Sequence, residues 1–149
     1  MKFRVSLSLL TLLMALSTSS IAHASSCSNS TIKGAYAFTV HGQILPGPGV
    51  PALIVDGIAK TTFDGYGGLT QVDAVAINGG MAPGWRPGTG SYSVNADCTG
   101  TMTILNENMP PLNLQIVIGL SGQTIHTVVI DPGFAVTSDA ERIVMPKQQ

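Results

Sequence analysis

Charged residues are scarce in this sequence: seven Lys or Arg and eight Asp or Glu among 149 residues, 10% of the chain. Beyond residue 24 the basic ones are Lys33, Lys60, Arg86, Arg142 and Lys147, five against eight acids, a net charge near minus three. No Lys or Arg cluster and no alternation of Arg with aromatics occurs. Nucleic acid is therefore excluded as a partner, because that binding rests on neutralising phosphates. Past the N-terminus no segment keeps apolar residues at helical spacing over ten residues, which excludes a helical bundle. There is no Gly-x-Ser-x-Gly elbow, so a hydrolase triad has no sequence support. Gly65-x-Gly67-Gly68 and Gly79-Gly80 resemble phosphate loops, but no helix start follows either to aim amides at an anion, and they read as turns. No metal site or cofactor is expected, since His41 and His126 stand at no ligand-like spacing to the cysteines. Enzymatic activity is left open, with the balance against it.

What is present begins with an export signal. Lys2 and Arg4 precede a largely apolar stretch from Val5 to Leu16, and Ala22-His23-Ala24 fits the small-x-small cleavage rule. The spacing predicts cleavage after Ala24, with 1–24 a signal peptide and 25–149 one domain. The apolar stretch is shorter than the roughly 20 residues that span a bilayer. An uncleaved anchor is the alternative; a lipoprotein is rejected, because Ser25-Ser26 stand before Cys27. The expected location is secreted or periplasmic, with no stable membrane insertion once the signal is removed. Export brings Cys27 and Cys98, the two cysteines, into an oxidising compartment, and a disulfide is expected. It closes a loop of about 70 residues, worth about 4 kcal/mol at most on the chain-entropy model. Two free thiols or a metal site are its competitors.

The rest reads as strands. Gly, Thr, Val and Ile are plentiful, and eight segments carry strand patterning: 34–45, 52–63, 68–78, 89–94, 99–105, 112–120, 124–130 and 134–144. In the sixth, Leu112, Leu114, Ile116, Ile118 and Leu120 alternate with Asn113, Gln115, Val117 and Gly119. Asp64-Gly65-Tyr66-Gly67 marks the clearest hairpin. A loop with three prolines at 46–51 and a Trp-bearing loop at 79–88 break the pattern. Closely linked strands of similar length predict an all-β, antiparallel up-and-down barrel of about eight strands, closed so that no edge is left unpaired. An open sandwich is the alternative.

Cys27, the opening Lys33-Gly34-Ala35-Tyr36-Ala37-Phe38, the turn Phe63-Asp64-Gly65-Tyr66-Gly67 and the hairpin from Gly90 to Gly100 resemble a group of small secreted bacterial proteins, most without an assigned function. Ala140 and Arg142 fit that group's last strand as well. The resemblance covers most of the mature chain and implies a barrel similar to avidin-like, lipocalin-like or allene oxide cyclase-like proteins. That is a statement about fold and carries little weight for function. The loops 46–51 and 79–88 depart from the group's pattern, and features particular to this chain are expected there.

Each candidate site residue has a plain structural reading beside the functional one. Tyr36, Phe38, Tyr92 and Trp85 line a pocket mouth, or the first three are core and Trp85 a loop residue. Arg142 shares a face with Val136, Ser138, Ala140 and Val144 that reads as interior. There it forms an ion pair with Asp73 or Glu107, or receives a ligand carboxylate. His41 and His126 read as rim or outward residues, and Asp139 with Glu141 as a solvated strand face. The leading expectation is a module binding a small, mostly apolar ligand. A filled structural barrel of the envelope and a cofactor-free cyclase or isomerase are the alternatives.

Overall fold

A computed structural model of the chain describes residues 26–82 and 84–144; the expected signal peptide lies outside the described residues. Eight strands follow in chain order: β1 (Gly34–Ile44), β2 (Leu53–Phe63), β3 (Gly68–Ile77), β4 (Arg86–Val94), β5 (Thr99–Asn106), β6 (Leu112–Gly119), β7 (Thr124–Val129) and β8 (Phe134–Arg142). Each pairs antiparallel with the next, and β1 pairs back onto β8, with Tyr36 opposite Arg142 and Ile44 opposite Phe134. The result is a closed up-and-down barrel without a free sheet edge. The open sandwich is excluded.

The pleat decides what lies inside. Because side chains alternate across a strand, one phase of each strand faces the lumen. That phase carries Tyr36 and Phe38 on β1, Val55, Ala59, Thr61 and Phe63 on β2, and Leu69, Gln71 and Asp73 on β3. Tyr92 on β4, Met102 and Ile104 on β5 and Leu114, Ile116 and Ile118 on β6 continue it. Ile125, Thr127 and Val129 on β7 and Val136, Ser138 and Ala140 on β8 complete the ring. The other phase is exposed and includes His41, His126, Asp139 and Glu141.

Most strand boundaries fall within one or two residues of the sequence expectation, and two of the differences have a clear physical reason. β4 begins at Arg86 rather than Thr89, so Arg86-Pro87-Gly88 is strand, pairing with Asp73, Val72 and Gln71. Pro87 precedes the start of the β4–β5 pairing at Gly88, so one side of the strand is unpaired there and a residue without an N–H is tolerated. β6 ends at Gly119, one residue before Leu120, which instead opens a turn at φ 46° and is exposed.

The two ends of the barrel are unlike. At one end lie the short turns β2–β3, β4–β5 and β6–β7, the last containing the 3-10 segment Leu120–Gly122, and the four-residue 3-10 turn Asn29–Ile32 is laid across the opening. Cys27 and Cys98 form a disulfide there with Cα atoms 5.0 Å apart, tying the N-terminal segment to the β4–β5 turn. At the other end lie the longer loops after β1, β3 and β5 and the β7–β8 turn.

Candidate functional site

The end under the 3-10 turn is filled. Ile32 is fully buried and plugs it. Beneath it Tyr36, Phe63 and Tyr92 stack edge to face, with centroids 5.5 and 4.9 Å apart. Every polar group in this layer is matched. The Tyr36 hydroxyl donates to the Gly122 carbonyl, and the Tyr92 hydroxyl donates to the Asn29 carbonyl at 3.2 Å while accepting from Gly65 N–H at 2.9 Å. Burial pushes both phenols above their ordinary pKa, against the lowering pull of Arg142 on Tyr36 and of the Gly65 N–H on Tyr92.

Arg142 does face the interior, but its partners are backbone. Its guanidinium donates to the carbonyls of Thr31 (3.0 Å), Lys33 (2.5 Å) and Gly122 (3.1 and 2.9 Å), and it lies 4.8 Å over the Tyr36 ring. The expected ion pair with Asp73 or Glu107 is therefore corrected. Asp73 sits far along β3, opposite Arg86, while Arg142 ends β8 among carbonyls that need donors. Gly122 is tightly fitted here: its φ is 85°, and an added Cβ would stand 2.4 Å from the Thr31 oxygen.

Toward the opposite end the lumen widens into a cavity of about 580 Å³. Its wall starts at Phe38, Ala59, Gln71, Met102, Leu114, Thr127 and Ser138 and rises to the mouth at Ile44, Ile77, Arg86, Met109, Leu112 and Phe134. Most of that surface is apolar. The loops around the mouth carry further exposed apolar side chains, Leu45, Val50, Met81, Trp85 and Ile130.

One polar chain runs through the apolar wall. Thr61 Oγ1 donates to Gln71 Oε1 (2.9 Å), and Gln71 Nε2 donates to Asp73 Oδ2 (3.2 Å). Asn106 Nδ2 donates to the same oxygen (3.2 Å), and Arg86 Nε donates to Asp73 Oδ1 (2.7 Å). Arg86 Nη1 approaches Met109 Sδ at 3.6 Å. The Asp73 side chain is 7% exposed and that of Arg86 34%, so the carboxylate is buried and the guanidinium reaches the mouth. Gly88 makes room for the Asn106 amide; an added Cβ would stand 2.2 Å from its Oδ1. On the far wall Thr127 Oγ1 and Ser138 Oγ share a hydrogen bond of 2.6 Å.

The five residues singled out from the sequence thus divide between the ends. Phe38 lines the cavity. Tyr36, Tyr92 and Arg142 belong to the plug, and Trp85 stands on a rim loop, 61% exposed and outside the cavity wall. Asp73, Gln71, Arg86 and Asn106 were not selected as site residues. Gln71 and Asp73 fall in phase with Leu69 and Val75, which is the signal that marks them as inward. It is blurred because Val72, Ala74 and Ala76 make the other phase apolar too. His41 pairs with Asp56 (3.2 Å) and His126 with Asp139 (2.6 Å), both pairs on the outer surface.

Fold and site define a class: a disulfide-tied, eight-stranded up-and-down barrel, plugged at one end and hollow at the other. Compared with protein-family models, curated proteins and solved structures, the chain matches none. Among the described residues no helix is long and apolar enough to cross a membrane, and no three His, Cys, Asp or Glu side chains group as metal ligands.

Proposed function

We propose that this chain is an exported binding protein whose lumen takes one small, mainly apolar molecule through the open end. The observation that carries this reading is the cavity of about 580 Å³, mostly apolar and floored by a fully hydrogen-bonded plug. Its volume lies within the range of roughly 300–1,000 Å³ usual for small-molecule sites. An eight-stranded barrel is just wide enough for packed side chains or one such ligand. The apolar rim supports entry from that end. Export is supported by the signal-like N-terminus and the disulfide, and the likeness to small secreted bacterial barrels agrees with both.

Roles follow the geometry. Phe38 contacts the ligand directly, and Trp85 covers its outer end from the rim loop. Tyr36, Tyr92 and Arg142 act from below, by holding the floor. Binding is favoured over proton-transfer catalysis because the Asp73 carboxylate already accepts from Gln71, Arg86 and Asn106, which opposes its acting as a base.

Native mass spectrometry of the protein purified from its own host tests this directly, with an added mass that survives desalting as the expected result. Ala59→Phe places a ring in the lumen and is expected to remove the bound mass while the barrel stays folded by circular dichroism. Trp85→Ala is expected to weaken retention. A host-purified protein free of added mass under several growth conditions, or Ala59→Phe retaining it, counts against the reading.

A further inference from the structure

The charges in the cavity wall are few and nearly self-cancelling. Asp73, Arg86 and Asp131 are the charged residues lining it, two negative and one positive. Arg86 holds Asp73 through Nε at 2.7 Å, and Asp131 at the rim accepts from Asn113 N–H (2.6 Å) and Nδ2 (2.9 Å). Asp131 is held below the ordinary carboxylate pKa range, first by its hydrogen bond from the Asn113 side chain, so it keeps its negative charge at neutral pH. Arg86 nevertheless retains donors. Nη2 makes no hydrogen bond among the described residues, and Nη1 has only the thioether of Met109.

A ligand head group entering here meets free N–H donors without a free positive charge. A carboxylate gains hydrogen bonds from Arg86 but also meets Asp73 on the same guanidinium and Asp131 at the mouth, after losing its water. An uncharged acceptor receives the same hydrogen bonds without that repulsion. An ammonium is repelled by Arg86 beside Asp73, and the other carboxylate, Asp131 at the rim, already accepts two hydrogen bonds from Asn113.

From this we infer that the lumen selects amphiphiles with an uncharged, hydrogen-bond-accepting head, an alcohol or ester on an aliphatic chain, and discriminates against the matching carboxylate and amine. Arg86 supplies the donors and Asp73 sets the selectivity by neutralising Arg86. The inference rests on the lumen being a ligand site, as proposed above.

Calorimetric titration of the full mature chain at neutral pH, with decane, decanol, methyl decanoate, decanoate and decylamine in turn, tests it. Decanol and methyl decanoate are expected to bind roughly tenfold more tightly than either charged probe, about the worth of one net hydrogen bond. Decane binds too, without a contribution from Arg86. Asp73→Asn keeps an acceptor for Arg86 Nε but frees its charge. In that variant decanoate is expected to gain roughly tenfold or more while decanol changes little, since a charge-assisted bond is about twice as strong as a neutral one. Decanoate or decylamine binding wild type as tightly as decanol overturns the inference, as does an Asp73→Asn variant with unchanged preference, and either leaves the lumen site standing. If none of the five binds, the lumen reading itself falls, and the head-group inference with it.

Discussion

Arg142 illustrates how much a single side chain does when its partners are backbone. Three carbonyls from two distant segments, Thr31 and Lys33 at the N-terminal 3-10 turn and Gly122 in the β6–β7 turn, converge on one guanidinium that also lies against Tyr36. Hydrogen bonds to a charged group contribute about 1.5–3 kcal/mol each, and their loss leaves carbonyls without donors. Arg142→Met is therefore expected to cost about 3 kcal/mol, read as a lower urea midpoint, and Arg142→Lys to recover only part of it, because a point charge cannot reach three acceptors at once. Ligand affinity measured far below the midpoint is expected to stay unchanged; a selective loss of affinity in a fully folded variant would return Arg142 to the binding site. The sequence marks Arg142 as inward, because it shares a strand phase with Val136 and Ala140. It does not mark the acceptors, since a carbonyl contributed by a distant turn leaves no trace in residue type. Arg86 is the reverse case: its neighbours Pro87 and Gly88 read as loop, which hid both its strand position and its pairing with Asp73.

Among the elements, three turns are held by carboxylates and so are sensitive to acid. Asp64 accepts from the N–H groups of Tyr66, Gly67 and Gly68 within 2.7–3.0 Å, Asp97 from Thr99, and Asp131 from Asn113. Each carboxyl is held below the ordinary range by these bonds, chiefly the Tyr66 N–H for Asp64, the Thr99 hydroxyl for Asp97 and the Asn113 side chain for Asp131. A lowered native pKa means that the unfolded chain takes up the proton first. The stabilisation is complete above the unfolded-state carboxylate range and is lost as pH falls through the lowered native values. Thermal midpoints are thus expected to hold level from neutrality down to that range and drop below it, and the triple Asn substitution at 64, 97 and 131 to flatten the drop. An equally steep drop in the triple variant would place the acid sensitivity elsewhere. The turns at Asp64 and Asp131 were legible because Asp-Gly and Asp-Pro-Gly carry their geometry in residue type, as were β1, β2 and β6, where apolar and other residues alternate cleanly. The mouth was less so: both phases of β3 contain apolar residues, and the proline of β4 is tolerated only because the neighbouring strand starts after it, a fact of register.

For the whole molecule the decisive feature is that its two ends are built differently, one filled and one hollow, with the disulfide placed at the filled one. Cys27 and Cys98 are 71 residues apart in sequence, and the bond between them keeps the 3-10 turn across the barrel. On the chain-entropy model, closing such a loop stabilises the fold by about 4 kcal/mol. The double variant Cys27→Ser/Cys98→Ser is expected to lose most of that in urea unfolding yet remain folded in buffer, because the barrel's closure depends on strand pairing and not on the bond. Its effect on ligand affinity then tests whether plug and lumen are independent. The cavity wall contains neither cysteine, and its lowest residues lie beyond the aromatic layer that carries the plug's contacts. Affinity should hold if that layer keeps its packing without the tether. If affinity falls with stability, the plug and the wall open together, and the aromatic layer is the element that couples them; Phe63→Leu, which thins it without touching the disulfide, is then expected to reproduce the loss of affinity with the bond intact.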